Sequence, residues 1–177
     1  MAWSNPATFV AGTALTAAQM NVIGGDLTYL NGTPSCDVGV STGTSLTTST
    51  WTRLNWDTNN YDNASIHSIS TNTWKFLLAD AGAYDVSIQI GYAANTTGVR
   101  SCNVDLNNAS STVSSGTRSW SGRAAAGNSQ IMTAQANFKF KAAAGDFLSV
   151  FAFQNTGGAL STDAPSSWVD IARLGTG

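Results

Sequence analysis

Strict alternation of apolar and polar residues is the feature of this sequence that most constrains its fold. In residues 84–92 every second side chain is large and apolar and the residues between are polar or small; the apolar set is Tyr84, Val86, Ile88, Ile90 and Tyr92. Successive side chains of a β-strand point to opposite faces, so a period of two gives one apolar and one polar face. Residues 132–140 alternate in the same way. Both segments therefore predict half-buried antiparallel strands.

The rest of the chain indicates the same fold class. Gly, Ser, Thr and Asn are abundant, charged residues make up 10% of the 177 residues, and Glu is absent. Strong helix formers are scarce, while β-branched and aromatic residues fill the apolar positions. We predict further strands at 51–57, 66–70, 74–78, 102–106, 117–122, 147–153 and 167–174. Many short strands without helices between them indicate an all-β sandwich or barrel around one core.

The clearest helix signal lies in residues 1–32. The segment from Thr16 to Gln19 fits a capping box, in which the Thr16 hydroxyl accepts from the Gln19 backbone N–H and the Gln19 side chain reaches back to Thr16. We predict a helix over about residues 16–31. Its apolar stripe has the spacing of a coiled-coil seam and consists of Met20, Ile23, Leu27 and Leu30.

This stripe needs a partner to be stable. The adjacent glycines Gly24 and Gly25 weaken the helix by about 2 kcal/mol relative to two alanines. A helix of this length is not stable alone in water, so its stripe must be buried against sister copies, a docking surface or the chain's own globular part. We expect residues 1–32 to be an arm for trimerisation and attachment, to which Trp3, Phe9 and Leu15 also contribute.

The residues after the helix divide into a linker and a globular part. Residues 33–50 are rich in Gly, Ser and Thr and predict a flexible linker with one short strand at residues 36–40. From Trp51 onward the alternating pattern begins and continues almost to the C-terminus. We therefore predict a globular knob over residues 51–177.

The predicted strand at 147–153 is apolar on both faces. The outer face of a two-layer sandwich normally meets water, so a strand of this kind must be covered on its outer side as well. A loop or another subunit must therefore cover Phe147, Phe151 and Phe153. We favour another subunit and predict these three residues as contacts between the knobs of a trimer.

No arrangement typical of catalysis is present in the sequence. His67 is the single histidine, and its place in a predicted strand indicates a polar-face position. The chain lacks a nucleophile elbow, a zinc-protease motif, a P-loop and a Gly-rich dinucleotide turn, and it has no Glu to act as a glycosidase acid. We expect no enzymatic activity and no cofactor.

Metal and redox sites are not expected either. The segment from Asp57 to Asp62 offers oxygen donors but lacks the Gly and the distal Glu of an EF-hand loop, so it predicts a polar turn. Cys36 and Cys102 are the two cysteines. Without a CxxC motif or a nearby histidine, they predict buried reduced thiols.

Four tryptophans allow two interpretations. Trp51, Trp56, Trp74 and Trp120 either form a platform on which sugar rings stack or belong to the core of the sandwich. Aromatic residues of a β-sandwich are more often core residues, so we favour the second interpretation.

Charge and hydropathy exclude two classes of partner. The net charge is −2 and the eight Lys and Arg residues are scattered, so no basic patch is available for nucleic acid. No segment approaches the about 20 apolar residues of a membrane helix. The N-terminus lacks the charged and apolar regions of a signal peptide, so we expect a protein that is assembled in the cytoplasm or leaves it by a route other than a signal peptide, without a membrane partner.

Three stretches of residues 51–175 carry a family resemblance. Ala79–Val86 holds a glycine–tyrosine turn into a central strand, Phe138–Asp146 an alternating strand followed by a Gly-Asp turn, and Ser166–Leu174 a final Ser-x-aromatic strand. In order and spacing they resemble the jelly-roll domain shared by tumour necrosis factor and the globular heads of complement proteins, which also occurs in phage fibres and head proteins. The resemblance implies a jelly roll of about ten strands that trimerises around aromatic residues of its inner sheet.

The N-terminal stretch 3–21 resembles a leader of phage virion proteins. It combines an aromatic residue at Trp3, a proline at Pro6, an Ala-Gly pair ending at Gly12, and a Leu-Thr-Ala-Ala run that begins at Leu15. Together the two resemblances imply a structural protein on the virion surface of a tailed phage. It would be a trimeric capsid decoration or head-fibre protein, bound through its arm to the major capsid protein or another virion protein.

An alternative function remains open at this point. The same trimer mounted on the tail would recognise a host surface glycan or protein. Its candidate ligand residues lie in predicted loops and edges and are Asn95, Arg118 and Trp120.

Overall fold

The computed structural model describes residue 12 and residues 14–113, 116–124 and 130–175, apart from the side chains of residues 28–31. Within this part of the chain one helix precedes eleven strands. In chain order they are α1 (Ala17–Asn31), β1 (Ser35–Gly39), β2 (Ser45–Leu46), β3 (Thr52–Arg53), β4 (Thr58–Asp62), β5 (Lys75–Leu78), β6 (Gly82–Tyr92), β7 (Arg100–Leu106), β8 (Arg118–Ala124), β9 (Met132–Ala142), β10 (Asp146–Gln154) and β11 (Leu160–Gly175).

The strands form two antiparallel sheets. The six-stranded sheet has the order β4-β1-β11-β6-β9, with β2 also pairing with β11. The five-stranded sheet has the order β3-β10-β7-β8, with β5 also pairing with β10. Strands far apart in the chain, such as β1 and β11, are therefore neighbours, as is typical of a jelly roll. The predicted all-β jelly-roll sandwich is confirmed.

The core lies between the sheets and consists of the alternating apolar residues. Val86, Ile88 and Ile90 of β6 are fully buried, and so are Val104 of β7 and Val150 of β10 in the other sheet. Burial of each such side chain stabilises the fold by roughly 1.5–3 kcal/mol. The residues between them face outward, so the two outer sheet faces are the broad surfaces of the molecule.

Strands β8 and β9 close one side of the sandwich although they belong to different sheets; we call this contact the β8–β9 seam. Gly122 lies directly against β9, because a Cβ atom at this position would overlap the carbonyl oxygen of Gln135. The Trp120 ring stacks on Phe138 with centroids 4.0 Å apart, and Phe140 lies 5.0 Å from the same indole. A glycine and three aromatic rings therefore seal the seam.

The turn between β9 and β10 has the Gly-Asp form that the family resemblance implies. Gly145 has a φ of +87°, in the left-handed region that favours glycine. Its N–H donates to the Leu78 carbonyl at 2.8 Å, and the Asp146 carboxylate accepts from the Ala143 N–H at 2.8 Å. The turn thereby ties the start of β10 to the end of β5.

Helix α1 begins at the predicted capping box. The Thr16 hydroxyl accepts from the Gln19 N–H at 3.2 Å, and the Gln19 side-chain oxygen accepts from the Thr16 N–H at 2.9 Å. The helix ends at Asn31, so its predicted extent is confirmed. In the described residues no helix is long and apolar enough to cross a membrane.

The segment 33–50, expected to be a linker, contributes two strands to the six-stranded sheet. β1 pairs with both β11 and β4, and β2 pairs with β11. Cys36, Val38 and Leu46 are each at most 1% exposed. Burial of these three apolar side chains outweighs the linker-like composition around them, so this segment is part of the sandwich.

Two predicted strands are shortened or replaced. Of residues 51–57 the strand keeps only Thr52–Arg53, and of residues 66–70 only His67 makes an isolated bridge. The Asp62 carboxylate accepts from the backbone N–H groups of Ala64, Ile66 and His67. A side chain therefore satisfies the groups that a strand ladder would otherwise use.

Candidate interaction surfaces

His67 is a buried structural residue and not a polar-face one. Its side chain is 6% exposed, with Nδ1 3.2 Å from the Lys75 carbonyl oxygen and Nε2 3.1 Å from that of Trp56. The ring also stacks on Phe76, with centroids 4.8 Å apart. The predicted polar-face position is wrong because backbone carbonyls supply the partners that allow the imidazole to be buried.

The two cysteines are buried thiols in this fold. Cys36 and Cys102 are free and buried, as predicted. Burial raises the pKa of Cys102 to about 11, and burial together with the charge of Asp62 raises the pKa of Cys36 further. Both are protonated thiols near neutral pH. The described residues also hold no group of three or more His, Cys, Asp or Glu side chains suited to a metal ion.

The outer face of the five-stranded sheet carries a row of half-buried aromatic and cationic side chains. We call it the aromatic strip; it consists of Trp51, Arg53, Trp74, Lys75, Phe147 and Phe153. Trp51 contacts Phe153 with ring centroids 5.1 Å apart. Trp74 meets Phe147 edge-on, with centroids 5.9 Å apart. The strip thus contains two aromatic pairs.

Each cation of the strip lies over an aromatic ring. The Arg53 guanidinium is 3.9 Å from the centroid of Trp74, and the Lys75 ammonium is 4.4 Å from that of Phe147. Arg53 also donates to the carbonyl oxygens of Ala109 and Ser110, both at 3.0 Å. Burial lowers the pKa of Arg53, yet a guanidinium remains charged at any physiological pH.

Strand β10 positions the strip because β3 and β5 both pair along one of its edges. Phe147 lies opposite Leu77 of β5, and Phe151 lies opposite Arg53 of β3. Cross-strand partners share a sheet face, so alternate side chains of these three strands stand in one row.

The structure contradicts the predicted trimer contact at Phe151. This side chain is 0% exposed in the single chain. Ser149, which shares its sheet face, is also fully buried and donates to the Asn108 carbonyl at 2.8 Å. The loop after β7 therefore supplies the cover that we had assigned to another subunit. Phe147 and Phe153 are half-buried, and their contact with a partner stays a prediction.

The outer face of the six-stranded sheet is acidic, and we call it the acidic face. Asp37 and Asp170 are cross-strand partners on β1 and β11, and Asp85 lies on the neighbouring β6. Burial and the charges of Asp37 and Asp85 raise the pKa of Asp170. Trp168 lines, together with Asp37 and Asp170, an open depression of about 480 Å³ on this face.

Two lysines stand at the β9 edge of the same face. Lys139 pairs with Asp85 at 3.2 Å. Lys141 is exposed, and the two ion pairs found among the described residues do not include it. The acidic face therefore carries positive charge along its β9 edge, from the two lysines, and negative charge on β1 and β11, from Asp37 and Asp170.

The predicted ligand residues are not brought together. Asn95 and Arg118 lie near opposite ends of β7, because Asn95 binds Arg100 at its start and Arg118 pairs with Leu106 at its end. The Asn95 carbonyl accepts from the buried Arg100 guanidinium at 2.7 Å. Trp120 is half-buried in the β8–β9 seam, with the exposed Arg118 5.0 Å from its ring centroid.

Most of the predicted arm residues that the structure describes are exposed. Leu15, Met20 and Leu27 are 48%, 51% and 56% exposed, and Ile23 is half-buried. The described part of the chain therefore leaves the stripe of α1 largely uncovered. Trp3, Phe9 and the side chain of Leu30 lie outside the described residues.

The sequence did not predict the acidic face, and it predicted only some of the residues of the aromatic strip as surface residues. Trp56 is fully buried and Trp120 is half-buried, as the core interpretation implies, but Trp51 and Trp74 stand on an outer face. The spacing of Trp51 and Arg53 by two residues was a signal of a shared face. No comparable signal joins Asp37 to Asp170, because their contact depends on the pairing of β1 with β11.

Solved structures of two protein groups share this architecture. Eiger TNF from S. frugiperda matches with a TM-score of 0.58 and 17% identity, over 82% of this chain and 94% of that one. The globular domain of zebrafish complement 1qA protein matches with a TM-score of 0.58 and 11% identity, over 81% and 99% of the two chains. Murine APRIL at pH 5.0 matches with a TM-score of 0.59 and 12% identity, over 80% and 99%.

These similarities establish the fold as a jelly roll like those of TNF and complement C1q. No protein-family model matches the sequence, and no curated protein matches it. Identities between 11% and 17% show the fold alone. Function must therefore be argued from the surfaces described above.

Proposed function

We propose that this chain is a homotrimeric structural protein of a tailed-phage virion, with the jelly-roll knob outside the particle and residues 1–32 as its attachment arm. The observation that carries the proposal is the uncovered stripe of α1, where Met20 and Leu27 are 51% and 56% exposed beside a sandwich whose core is closed. Such a helix needs sister copies or a docking protein to be stable.

The position of α1 supports association around the six-stranded sheet. Residues 32–34 alone separate the helix from β1. The Pro34 carbonyl accepts from the Arg173 N–H of β11 at 2.9 Å, which fixes this connection to the centre of the six-stranded sheet. Three helices gathered around one axis therefore bring their six-stranded sheets next to that axis.

The charges of the acidic face support a head-to-tail contact between copies. In a cyclic trimer one surface of each subunit meets a different surface of the next. Lys141, at the β9 edge, then lies against the Asp37–Asp170 pair of the next copy and relieves the repulsion between these carboxylates. Trp168 adds apolar area to the same contact.

The virion role is supported by the resemblance of residues 3–21 to phage leaders. Its residues before Gly12 lie outside the described part of the chain, so attachment is proposed from the sequence. We favour capsid decoration over a receptor-binding tail knob because two of the candidate ligand residues have structural contacts within the knob: the Asn95 carbonyl accepts from Arg100, and Trp120 stacks on Phe138. A decoration protein acts by burying surface on the capsid and on its sister copies.

Light scattering of the full chain tests the trimer. We expect three times the mass of one chain. The Lys141→Asp variant should weaken association by roughly tenfold through like-charge repulsion, and adding Asp170→Lys should restore it. Arg123→Asp, on the exposed edge of β8, is the matched control and should leave the mass unchanged. A monomeric chain, or loss of the trimer without rescue, would overturn this contact.

Quantitative mass spectrometry of purified virions tests the virion role. We expect a copy number comparable with that of the major capsid protein, and we expect the double variant Met20→Asp, Leu27→Asp to be missing from the particles. A few copies per particle would replace capsid decoration by a tail location. Complete absence of the unaltered chain from virions would refute the virion role.

A further inference from the structure

We propose that the aromatic strip binds an acidic polysaccharide, with sugar rings packed on Trp51 and Trp74 and with carboxylate or phosphate groups paired with Lys75 and Arg53. This binding activity goes beyond the structural role proposed above. It requires that the strip residues be accessible to solvent. They are half-buried, while the loop after β7 covers the same face at Ser149 and Phe151.

The aromatic part of the strip fits the apolar faces of sugar rings. Trp51, Trp74, Phe147 and Phe153 are half-buried on an outer sheet face, although the sandwich core is closed without them. A patch of aromatic rings that reaches the surface beside polar groups is typical of an interaction or ligand site. Indole rings offer a flat apolar area together with an N–H group at the edge, a combination suited to a ligand with both apolar and polar groups.

The cations of the strip favour an acidic ligand over a neutral one. Arg53 and Lys75 lie over ring faces, and the two ion pairs among the described residues involve Lys139 and Arg173 instead. The carboxylate of Asp105, on the same sheet face, is fully buried and accepts from Asn103 and Asn108 side chains. The six strip residues therefore include two cations and no carboxylate, in a chain whose net charge is −2.

The strip is held rigid before any ligand arrives. β10 pairs with β7 along one edge and with β3 and β5 along the other. The two hydrogen bonds from Arg53 to the carbonyls of Ala109 and Ser110 fix the guanidinium over Trp74. Little conformational entropy is lost when such a surface binds, and this favours affinity.

The dimensions of the strip suit a polymer. Phe147 and Phe153, at the two ends of the strip, are about 20 Å apart at roughly 3.3 Å per residue, a distance that several consecutive sugar units of a polymer span. In the trimer proposed above, the six-stranded sheets meet at the axis and the three strips face outward. This arrangement replaces the trimer contacts predicted from the sequence for Phe147 and Phe153, which lie on the other sheet. Three copies facing one repeating polymer raise the overall affinity through effective concentration.

The binding test uses the full chain and three defined probes. We expect tetragalacturonate or a phosphorylated oligomannose to bind saturably in calorimetry and to change the tryptophan fluorescence. Neutral maltotetraose should bind weaker by roughly tenfold or more, and binding of the acidic probe should weaken from about 0.05 M to about 0.5 M salt. Tetragalacturonate carries carboxylates and the phosphorylated oligomannose carries phosphates, so the tighter binder of the two identifies the acidic group that the strip prefers. The proposal would be overturned if neither acidic probe bound, or if maltotetraose bound as tightly as the acidic probes.

Three variants locate the site. Trp51→Ala and Lys75→Gln should each reduce the affinity by roughly tenfold. Arg118→Gln is the matched control because it also removes a cation from above an indole, that of Trp120, but outside the strip. Lys75→Gln keeps the proposal testable if Trp51→Ala does not fold. Unchanged affinity in Lys75→Gln, or an equal loss in Arg118→Gln, contradicts the site, while light scattering reports on the trimer independently.

Discussion

The indole of Trp120 lies parallel to the ring of Phe138 across the β8–β9 seam, with ring planes 10° apart and centroids 4.0 Å apart. This stack joins the edges of two different sheets. Trp120 therefore helps to hold the sandwich closed, and its predicted contact with a ligand stays a prediction.

The stack predicts a large effect of truncating Trp120. Trp120→Ala should lower the free energy of unfolding by about 3 kcal/mol, because it removes a half-buried indole and leaves a cavity between Phe138 and Phe140. Trp120→Phe keeps a stacked ring and should lose less than half as much. Urea unfolding followed by circular dichroism measures both. Equal stability of the alanine variant and the unaltered chain would contradict the role of the stack.

The seam also predicts that Gly122 cannot be replaced by alanine without cost. The added Cβ overlaps the carbonyl oxygen of Gln135, and neither backbone can move without opening the seam. Gly122→Ala should destabilise the knob by about 1–3 kcal/mol. Gly158→Ala is the control, since a Cβ there meets no atom within 4 Å, and its stability should be unchanged. Thermal unfolding of both variants under one condition provides the comparison.

A pair of hydrogen bonds makes Asp57 a source of stability that acid removes. The Oγ and the N–H of Ser41 both donate to its carboxylate at 2.6 Å and lower its pKa. The carboxylate of Asp57 contributes to the free energy of unfolding at pH values above its pKa in the unfolded chain, about 3.9. This contribution is lost as the pH falls through the lower pKa that Asp57 has in the folded protein. Asp57→Asn should therefore cost at most about 1 kcal/mol at neutral pH, since the carboxylate is exposed and screened by solvent.

The measurement for Asp57 is the free energy of unfolding as a function of pH. The difference between Asp57→Asn and the unaltered chain should disappear at acidic pH. Ser41→Ala removes a donor from the same pair, so the double variant should lose less than the sum of the two single losses. Strict additivity would show that the Ser41 bonds do not cause the effect.

The acidic face predicts that the proposed trimer weakens in acid. In the single chain, burial and the charges of Asp37 and Asp85 raise the pKa of Asp170. A lysine from the next copy lowers that pKa, so the trimer binds fewer protons than three separate chains do. By linkage, association strengthens as the pH rises and weakens as the carboxylates take up protons.

Sedimentation at about pH 7 and about pH 4 checks this prediction, because the second value lies in the carboxyl range. Circular dichroism at the same pH values shows whether the knob itself stays folded. A mass that does not change with pH, in a chain that remains folded, would contradict the contact between the lysine edge and the carboxylates.

Local patterns were enough to predict individual elements. The capping box placed the start of α1, because its hydrogen bonds join Thr16 and Gln19, three residues apart. Alternation assigned Val86 to the core and Asp85 to the surface, because neighbouring side chains of a strand point to opposite faces. The strand predicted at residues 36–40 corresponds to β1, but the sequence did not predict that it joins the sandwich, because a short strand with Cys36 and Val38 acquires its stability from β11 and β4 and not from its own composition.

The sequence by itself determined the fold class, the helix and the buried face of the alternating strands β6 and β9, since these depend on residues within a few positions of one another. The tertiary structure alone decided that Trp51 meets Phe153 and that Asp37 lies beside Asp170. It also decided that a loop, and not another subunit, covers Phe151. These contacts depend on which strands become neighbours when the chain closes, and that choice depends on long-range burial that no local pattern contains.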